Sequence, residues 1–267
     1  MKIKVMNGST LSRFNEGWIS GAIYFSSDMY ELKNVESENY FNNHNKPFGI
    51  LDTIYDVSVE KNSKHFSDND FHPHDNIDII SYVVDGVMYD GVADEKMLAQ
   101  LGHVNEGIDF NSECSRQGGV QYLSSGKGIH HSVYSKEGKA LRFIQLFIST
   151  NKKDSLPMHK IHSINIKDRQ GKWLLIASSI SNATALKVTQ DINVFVLELM
   201  EGQEISVNVS HLRQACLLVI DGCGKLNQTH ANKSDLILLS GEFNGIFKAK
   251  SKSHLMLIEM KLQENRV

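Results

Sequence analysis

The chain has 267 residues, of which 41% are hydrophobic and 22% are charged, and its formal net charge is -3 at pH 7. This length can hold one large β domain or two smaller domains, each with a proper core, and the composition is that of a globular protein. The charge argues against a nucleic-acid surface, which needs a basic face, and no apolar run is long enough to span a bilayer. The first residues lack the apolar core of a secretory signal, so we expect a cytoplasmic protein.

Strand signals dominate the chain and helical periodicity is scarce. Short segments rich in β-formers and bounded by Gly, Asn, Asp or Ser predict strands at residues 77–84, 141–148, 194–199 and 255–260. The best candidate for a helix is 94–101, within a long segment from Gly91 to Gln117. Many short strands separated by turn residues are typical of a sandwich or a barrel.

Three histidines form a candidate metal site. Two of them, His72 and His74, lie two residues apart, and His131 follows the glycine-rich turn at 126–128. On a strand, residues i and i+2 point to the same face about 6.5–7 Å apart, so the first two imidazoles can converge on one ion. A third imidazole from a neighbouring strand would complete the site. Three imidazoles without a thiolate suit Fe(II), Ni(II), Cu(II) or Zn(II) better than Mg(II) or Ca(II).

An internal repeat predicts two copies of one β-barrel. Gly86 lies fourteen positions after His72 and Gly222 lies fourteen positions after Asn208, and in each copy an apolar strand runs into an Asp-Gly turn. We place the boundary between residues 150 and 171, which gives domains of 1–150 and 151–267.

The repeat also separates the candidate site from scaffold. Asn208 and Ser210 would take the places of the first two histidines, and Ile246 would take that of the third. The second barrel would then have no imidazole ligands and a purely structural role.

The histidine segment resembles the first cupin motif, because Asp78 follows His74 by four residues and Gly86 lies eight residues further on. Segments 72–86 and 118–132 are similar to two motifs of the pirin family, and within it to the bacterial pirin-like proteins that include quercetin 2,3-dioxygenases. Glu16–Ser20 and Pro47–Leu51 resemble the opening segments of that family. The resemblance implies an all-β bicupin, with two β-barrel domains of the double-stranded β-helix type.

The same resemblance implies one divalent metal, with Fe(II) as the first choice and nickel, copper or zinc as alternatives. The family holds it in the N-terminal barrel through three histidines and one glutamate. Carried over by position, the histidines are His72, His74 and His131. The glutamate lies two residues after the third histidine, where this chain has Val133. The Asp-Ser element of the family is also replaced, by Tyr89-Asp90-Gly91.

The valine removes a negative charge beside the ion, opens a coordination position and removes a base. In quercetinase-like members the glutamate accepts the proton of the flavonol hydroxyl. The residues close enough in the sequence to replace this glutamate as the base are Asp78, Asp90, Glu137 and His130. Asp78 has the strand parity of the first two histidines and is expected to act as the base or to orient a ligand imidazole. His130 would point away from the ion, and Glu137 is expected in a solvated loop.

The sequence therefore leaves three functions open, two that use a metal and one that does not. The first is a dioxygenase or related oxidoreductase that acts with dioxygen on a small aromatic or enol-type chelating substrate, with the metal as Lewis acid. The second is a regulator whose metal state controls binding to a protein partner, as the resemblance also implies. The third is a metal-free structural cupin. Several side chains would line a substrate cavity or fill the barrel core: Tyr82, Met88, Tyr122, Phe143 and Phe147.

Overall fold

The computed structural model describes residues 2–15, 17–25, 46–60, 72–93, 113–135, 139–181 and 184–263. In these residues the regular structure is β-strand, apart from the short 3-10 turns Gly8–Thr10 and Ile166–Arg169. The predicted all-β class is therefore confirmed, while the candidate helix at 94–101 lies outside the described residues. Within the same ranges, no helix is long and apolar enough to cross a membrane.

The strands of the described chain, in order, are β1 (Lys2–Met6), β2 (Ser12–Asn15), β3 (Ile19–Ile23), β4 (Leu51–Val59), β5 (His72–His74), β6 (Ile77–Asp85), β7 (Val87–Ala93), β8 (Glu113–Arg116), β9 (Gly119–Ser124), β10 (Ile129–Tyr134), β11 (Leu141–Ser149), β12 (Met158–Ser163), β13 (Leu174–Ser178), β14 (Leu186–Lys187), β15 (Ile192–Leu199), β16 (Glu204–Val209), β17 (Arg213–Asp221), β18 (Cys223–Leu226), β19 (Thr229–Asn232), β20 (Leu236–Ser240), β21 (Phe243–Ala249) and β22 (Ser253–Lys261).

These strands form two barrels in which β4 to β11 and β15 to β22 occupy corresponding positions, while the strands at the edges of the larger sheets differ. The first barrel combines a seven-stranded sheet, β12-β9-β6-β11-β4-β3-β2, with a four-stranded sheet, β5-β10-β7-β8. The second barrel combines β1-β20-β17-β22-β15-β13-β14 with β16-β21-β18-β19. Each strand of one four-stranded sheet therefore has a counterpart in the other, which confirms the predicted repeat.

The Asp-Gly turns that revealed the repeat are matched in conformation. Gly86 has φ +86° and Gly222 has φ +85°, in the left-handed region that favours glycine. A Cβ at either position would also collide with a backbone oxygen, that of Ala140 in the first barrel and that of Lys252 in the second. Both turns therefore need glycine for conformation and for space.

The division between the barrels differs from the predicted 1–150 and 151–267. The residues up to Ser12 and a short piece ending at Ile50 belong with the part of the chain from Ile164 onward. The N-terminal residues belong to the second barrel because β1 pairs in antiparallel fashion with β20. The first barrel in turn extends to Ser163, because β12 pairs with β9.

The interior of the first barrel is set by the alternation of side chains along β6, β9 and β11. Ile77, Ile79 and Val83 pack into one apolar cluster with Phe143 and Phe147. Since successive side chains on a strand point to opposite faces, this cluster identifies which face of each strand looks inward. Among the side chains considered for a cavity, Met88, Phe143 and Phe147 belong to this core, whereas Tyr82 and Tyr122 are buried outside it.

Candidate metal centre

The structure brings His72, His74 and His131 together on one face of the first barrel. In the antiparallel pair β5 and β10, His72 lies directly opposite His131 and His74 lies opposite Ile129. One nitrogen from each of the three rings lies within 4.8 Å of the others, and the ring centroids are 4.6–4.9 Å apart. His74 and His131 are buried while His72 is exposed, so the cluster is accessible from one side.

Hydrogen bonds at the tight turn between β5 and β6 hold β5 and β10 in this register. Asn76 adopts φ +49°, and its backbone N–H donates to the carbonyl oxygen of Gly126 over 2.8 Å. The hydroxyl of Ser125 donates to the carbonyl of Ile77 and accepts from its N–H, at 2.9 and 3.0 Å. The glycine turn before β10 is thus bound to the start of β6, and this holds the third histidine opposite the first.

Asp90 orients the ring of His131. Its Oδ1 lies 3.1 Å from the ring Nδ1, and both side chains are almost fully buried. A carboxylate can only accept a hydrogen bond, so Nδ1 carries the proton and Nε2 presents its lone pair. The Nε2 atom is buried and has no hydrogen-bond partner among the described residues. An oriented imidazole with a free buried lone pair fits a divalent transition metal, which three neutral imidazoles favour.

The electrostatic surroundings keep His74 in the state that a metal needs. Burial first, and then the neighbouring His131, His72 and His130 in that order, together lower its pKa from the usual 6.5 to about 2. The ring is therefore neutral at physiological pH, with a lone pair available for an ion.

Asp78 does not face the histidines. Its predicted position assumed that side chains alternate without interruption from His74 to Asp78, and they do not. The left-handed Asn76 interrupts the extended backbone between His74 and Asp78, so alternation does not continue from β5 into β6. Ile77 and Ile79 point into the core cluster, and Asp78 between them points to the opposite face, with its pairing partners Ser124 and Ile148. It is fully buried there, outside the three-histidine group.

The remaining candidate residues that the structure describes lie outside the histidine cluster or contribute an apolar side chain beside it. Val133 shares the face of His131 and packs against the core cluster, so an apolar side chain stands where the resemblance expected a glutamate. His130 is not part of the three-histidine group, and no carboxylate of the described residues joins it. Glu137 lies outside the described residues. The sequence named Asp90 only as a candidate base, and nothing in it signalled the contact with His131, which lies 41 positions further along the chain.

The second barrel has no counterpart of this cluster in the residues that the structure describes. Its strand β16 places Asn208 opposite Asn244, and Ile246 lies opposite Ser206 instead. The predicted equivalence of Ile246 and His131 is therefore wrong. The cause is the connection from β20 to β21, which is two residues long, whereas four residues connect β9 to β10.

Comparisons with known proteins agree with the two-barrel architecture. A family model described as pirin matches residues 31–148, and one described as the quercetinase C-terminal cupin domain matches residues 175–260. The chain is 24% identical over 246 residues to a pirin-like protein of Caulobacter vibrioides, covering 92% of this chain and 94% of that one. It is 23% identical over 247 residues to quercetin 2,3-dioxygenase of Escherichia coli K12, covering 92% and 93%.

Among solved structures, the chain resembles the bacterial pirin YhhW of Escherichia coli in complex with nickel(II). The TM-score is 0.76 at 21% sequence identity, covering 98% of this chain and all of that one. At this identity the likeness establishes the shared fold.

Proposed function

The chain belongs to the pirin family, and on that basis we propose that its first barrel binds one divalent transition metal through His72, His74 and His131. With dioxygen, it would oxidise a small chelating substrate of the flavonol or enol type. The observation that carries the proposal is the His131 ring, held by Asp90 with its second nitrogen buried and unpartnered among the described residues. Fe(II) is the first choice, and nickel is supported by its presence in YhhW. We place the protein in the cytoplasm.

The side chains around the site divide the work of binding. When bound, the metal supplies Lewis acidity and redox chemistry toward a chelating enol and dioxygen. His72, on the exposed side, borders the route by which a substrate enters. Val133 and Phe147 present apolar surface, since both pack in or against the core cluster and Phe147 contacts the His74 ring at 5.6 Å between centroids.

The proton of the substrate hydroxyl needs a path that avoids Val133, which cannot accept it. Asp90 is committed to the His131 ring, and Asp78 faces away from the cluster. The proton therefore leaves to solvent on the exposed His72 side, and the substrate binds as its enolate. This differs from the role that the resemblance gives the family glutamate.

The valine also supports a second candidate function. A site with three imidazoles and no carboxylate base among the described residues suits a metal sensor as well as an enzyme. In that case the metal state would control binding to a regulatory protein partner, with no turnover.

Oxygen uptake separates the two functions. We expect the Fe(II)-loaded protein to consume dioxygen in proportion to added flavonol, and His74→Ala to abolish that uptake. His211→Ala, an exposed histidine of the second barrel, is the matched control and should behave like the wild type. Equal uptake by wild type and His74→Ala would reject catalysis at this site. No uptake by metal-loaded wild type across a series of chelating enols would favour the regulator.

A further inference from the structure

A row of polar side chains crosses the interior of the first barrel beside the histidine face. Gln121, Ser81 and Gln145 are paired in register across β9, β6 and β11, and Gln145 is paired with Tyr55 on β4. Each lies two residues from a member of the core cluster or belongs to it, so all four side chains point inward.

One row of core side chains separates this polar row from the histidines. That intervening row consists of Leu123 on β9, Ile79 on β6 and Phe147 on β11, which are paired in register. The Phe147 ring contacts the ring of His74, with centroids 5.6 Å apart. A molecule chelated at the histidine face and extending over Phe147 would therefore meet the polar row next.

Gln121 has the capacity to bind such a molecule. The Gln145 amide donates to the Ser81 hydroxyl over 3.2 Å, so that pair is satisfied internally. The Gln121 side chain is only 2% exposed, and neither its Oε1 nor its Nε2 has a hydrogen-bond partner among the described residues. Buried carboxamides are nearly always hydrogen-bonded, so an inward-facing one without a protein partner has both polar atoms available to a ligand.

Two hydroxyls on inward faces add to this pattern. Thr53 is paired with Phe147, and Ser115 is paired with Met88 of the core cluster. Both are fully buried, and neither hydroxyl has a partner among the described residues. The barrel interior thus offers several unused polar groups in a surrounding that is otherwise apolar.

We propose that Gln121 is a specificity-determining residue that hydrogen-bonds a hydroxyl group on the part of the substrate remote from the metal. Its carbonyl oxygen accepts the hydroxyl proton and its amide donates to the hydroxyl oxygen. The substrate class is therefore a ring-hydroxylated chelating enol, a polyphenol, in preference to an unsubstituted one. This inference rests on the proposed function, because it takes the histidines as the anchor of the same molecule.

The test compares two ligands that share one chelating group. Quercetin and 3-hydroxyflavone both carry the 3-hydroxy-4-keto pair, but only quercetin has further ring hydroxyls. Binding to metal-loaded protein is titrated without dioxygen by the change in ligand absorbance. We expect the wild type to prefer quercetin by about tenfold or more, the effect of one buried hydrogen bond. Gln121→Met, nearly equal in size, should lose that preference while binding 3-hydroxyflavone as before.

Controls make the outcomes distinct. Gln214→Met replaces a buried glutamine of the second barrel, whose amide donates to the Lys261 carbonyl, and should keep the quercetin preference. Gln121→Leu is the second variant if Gln121→Met does not fold, and should show the same loss. If both ligands bind and the preference survives in the Gln121 variant, the inference is overturned while the proposed function stands. If metal-loaded wild type binds neither ligand, the chelating anchor itself is overturned.

Discussion

His74 stays neutral in the folded protein because it is buried among other imidazoles. Burial, then His131, His72 and His130, lower its pKa from 6.5 to about 2. The unfolded chain takes up a proton near pH 6.5, whereas the folded chain does not, so stability falls as the pH drops below that value. A bound metal also needs the neutral ring, so protons and metal compete for the same state of this residue.

This predicts a measurable acid sensitivity of the metal-free protein. Between pH 7.5 and pH 5.5, the free energy of unfolding should fall by about 1.4 kcal/mol more in the wild type than in His74→Gln, the value of one proton bound only by the unfolded chain. Urea unfolding in the presence of a chelator measures it at both pH values. His211→Gln, which alters an exposed ring, should retain the wild-type slope. Identical slopes in wild type and His74→Gln would contradict the neutral buried state.

At the scale of elements, the pairing of β7 with β10 supplies the contact that orients the third histidine. Asp90 lies opposite Val133 on these strands, and diagonally from His131, whose Nδ1 it reaches at 3.1 Å. The carboxylate fixes the tautomer of that ring and its direction. Such partners typically change metal affinity by about 10–100-fold when they are altered.

Asp90→Asn therefore tests whether this strand pairing serves the metal site. The amide oxygen still accepts the Nδ1 proton but lacks the charge, so we expect metal affinity to fall by about tenfold. Competition with a chelator of known affinity measures it. The matched control is Asp56→Asn in the same barrel, since Asp56 forms a bidentate ion pair with Arg142 instead. That variant should lose stability and keep its metal affinity, and an unchanged affinity in Asp90→Asn would refute the orienting role.

The strands could be predicted from the sequence because hydrophobic periodicity and composition are local signals. Strands predicted at 77–84 and 141–148 are observed at Ile77–Asp85 and Leu141–Ser149, and those at 194–199 and 255–260 lie within Ile192–Leu199 and Ser253–Lys261. The failures arose at turns. The positive φ of Asn76 broke the parity assumed for Asp78, and a shorter turn before β21 moved Asn244 into the place predicted for Ile246.

At the scale of the whole molecule, the two barrels share the order of their central strands but differ in the side chains of their interiors. The first barrel carries the histidine face, Asp90 and the polar row of Gln121, while the core cluster of the second consists of apolar side chains such as Leu217, Val219 and Phe247. The repeated Asp-Gly turns made the two barrels predictable from the sequence. The assignment of β1 to the second barrel was not, because its pairing with β20 joins residues more than two hundred positions apart.

The most direct test of the account is the metal content of the purified protein, measured by inductively coupled plasma mass spectrometry without a metal-binding tag or added metal. We predict about one divalent transition metal per chain, since only the first barrel holds a three-histidine cluster in the described residues. The His72→Ala/His74→Ala double variant, purified in the same way, should carry almost none. A wild-type protein that stays metal-free even after reconstitution, or a double variant that keeps its metal, would contradict the central claim.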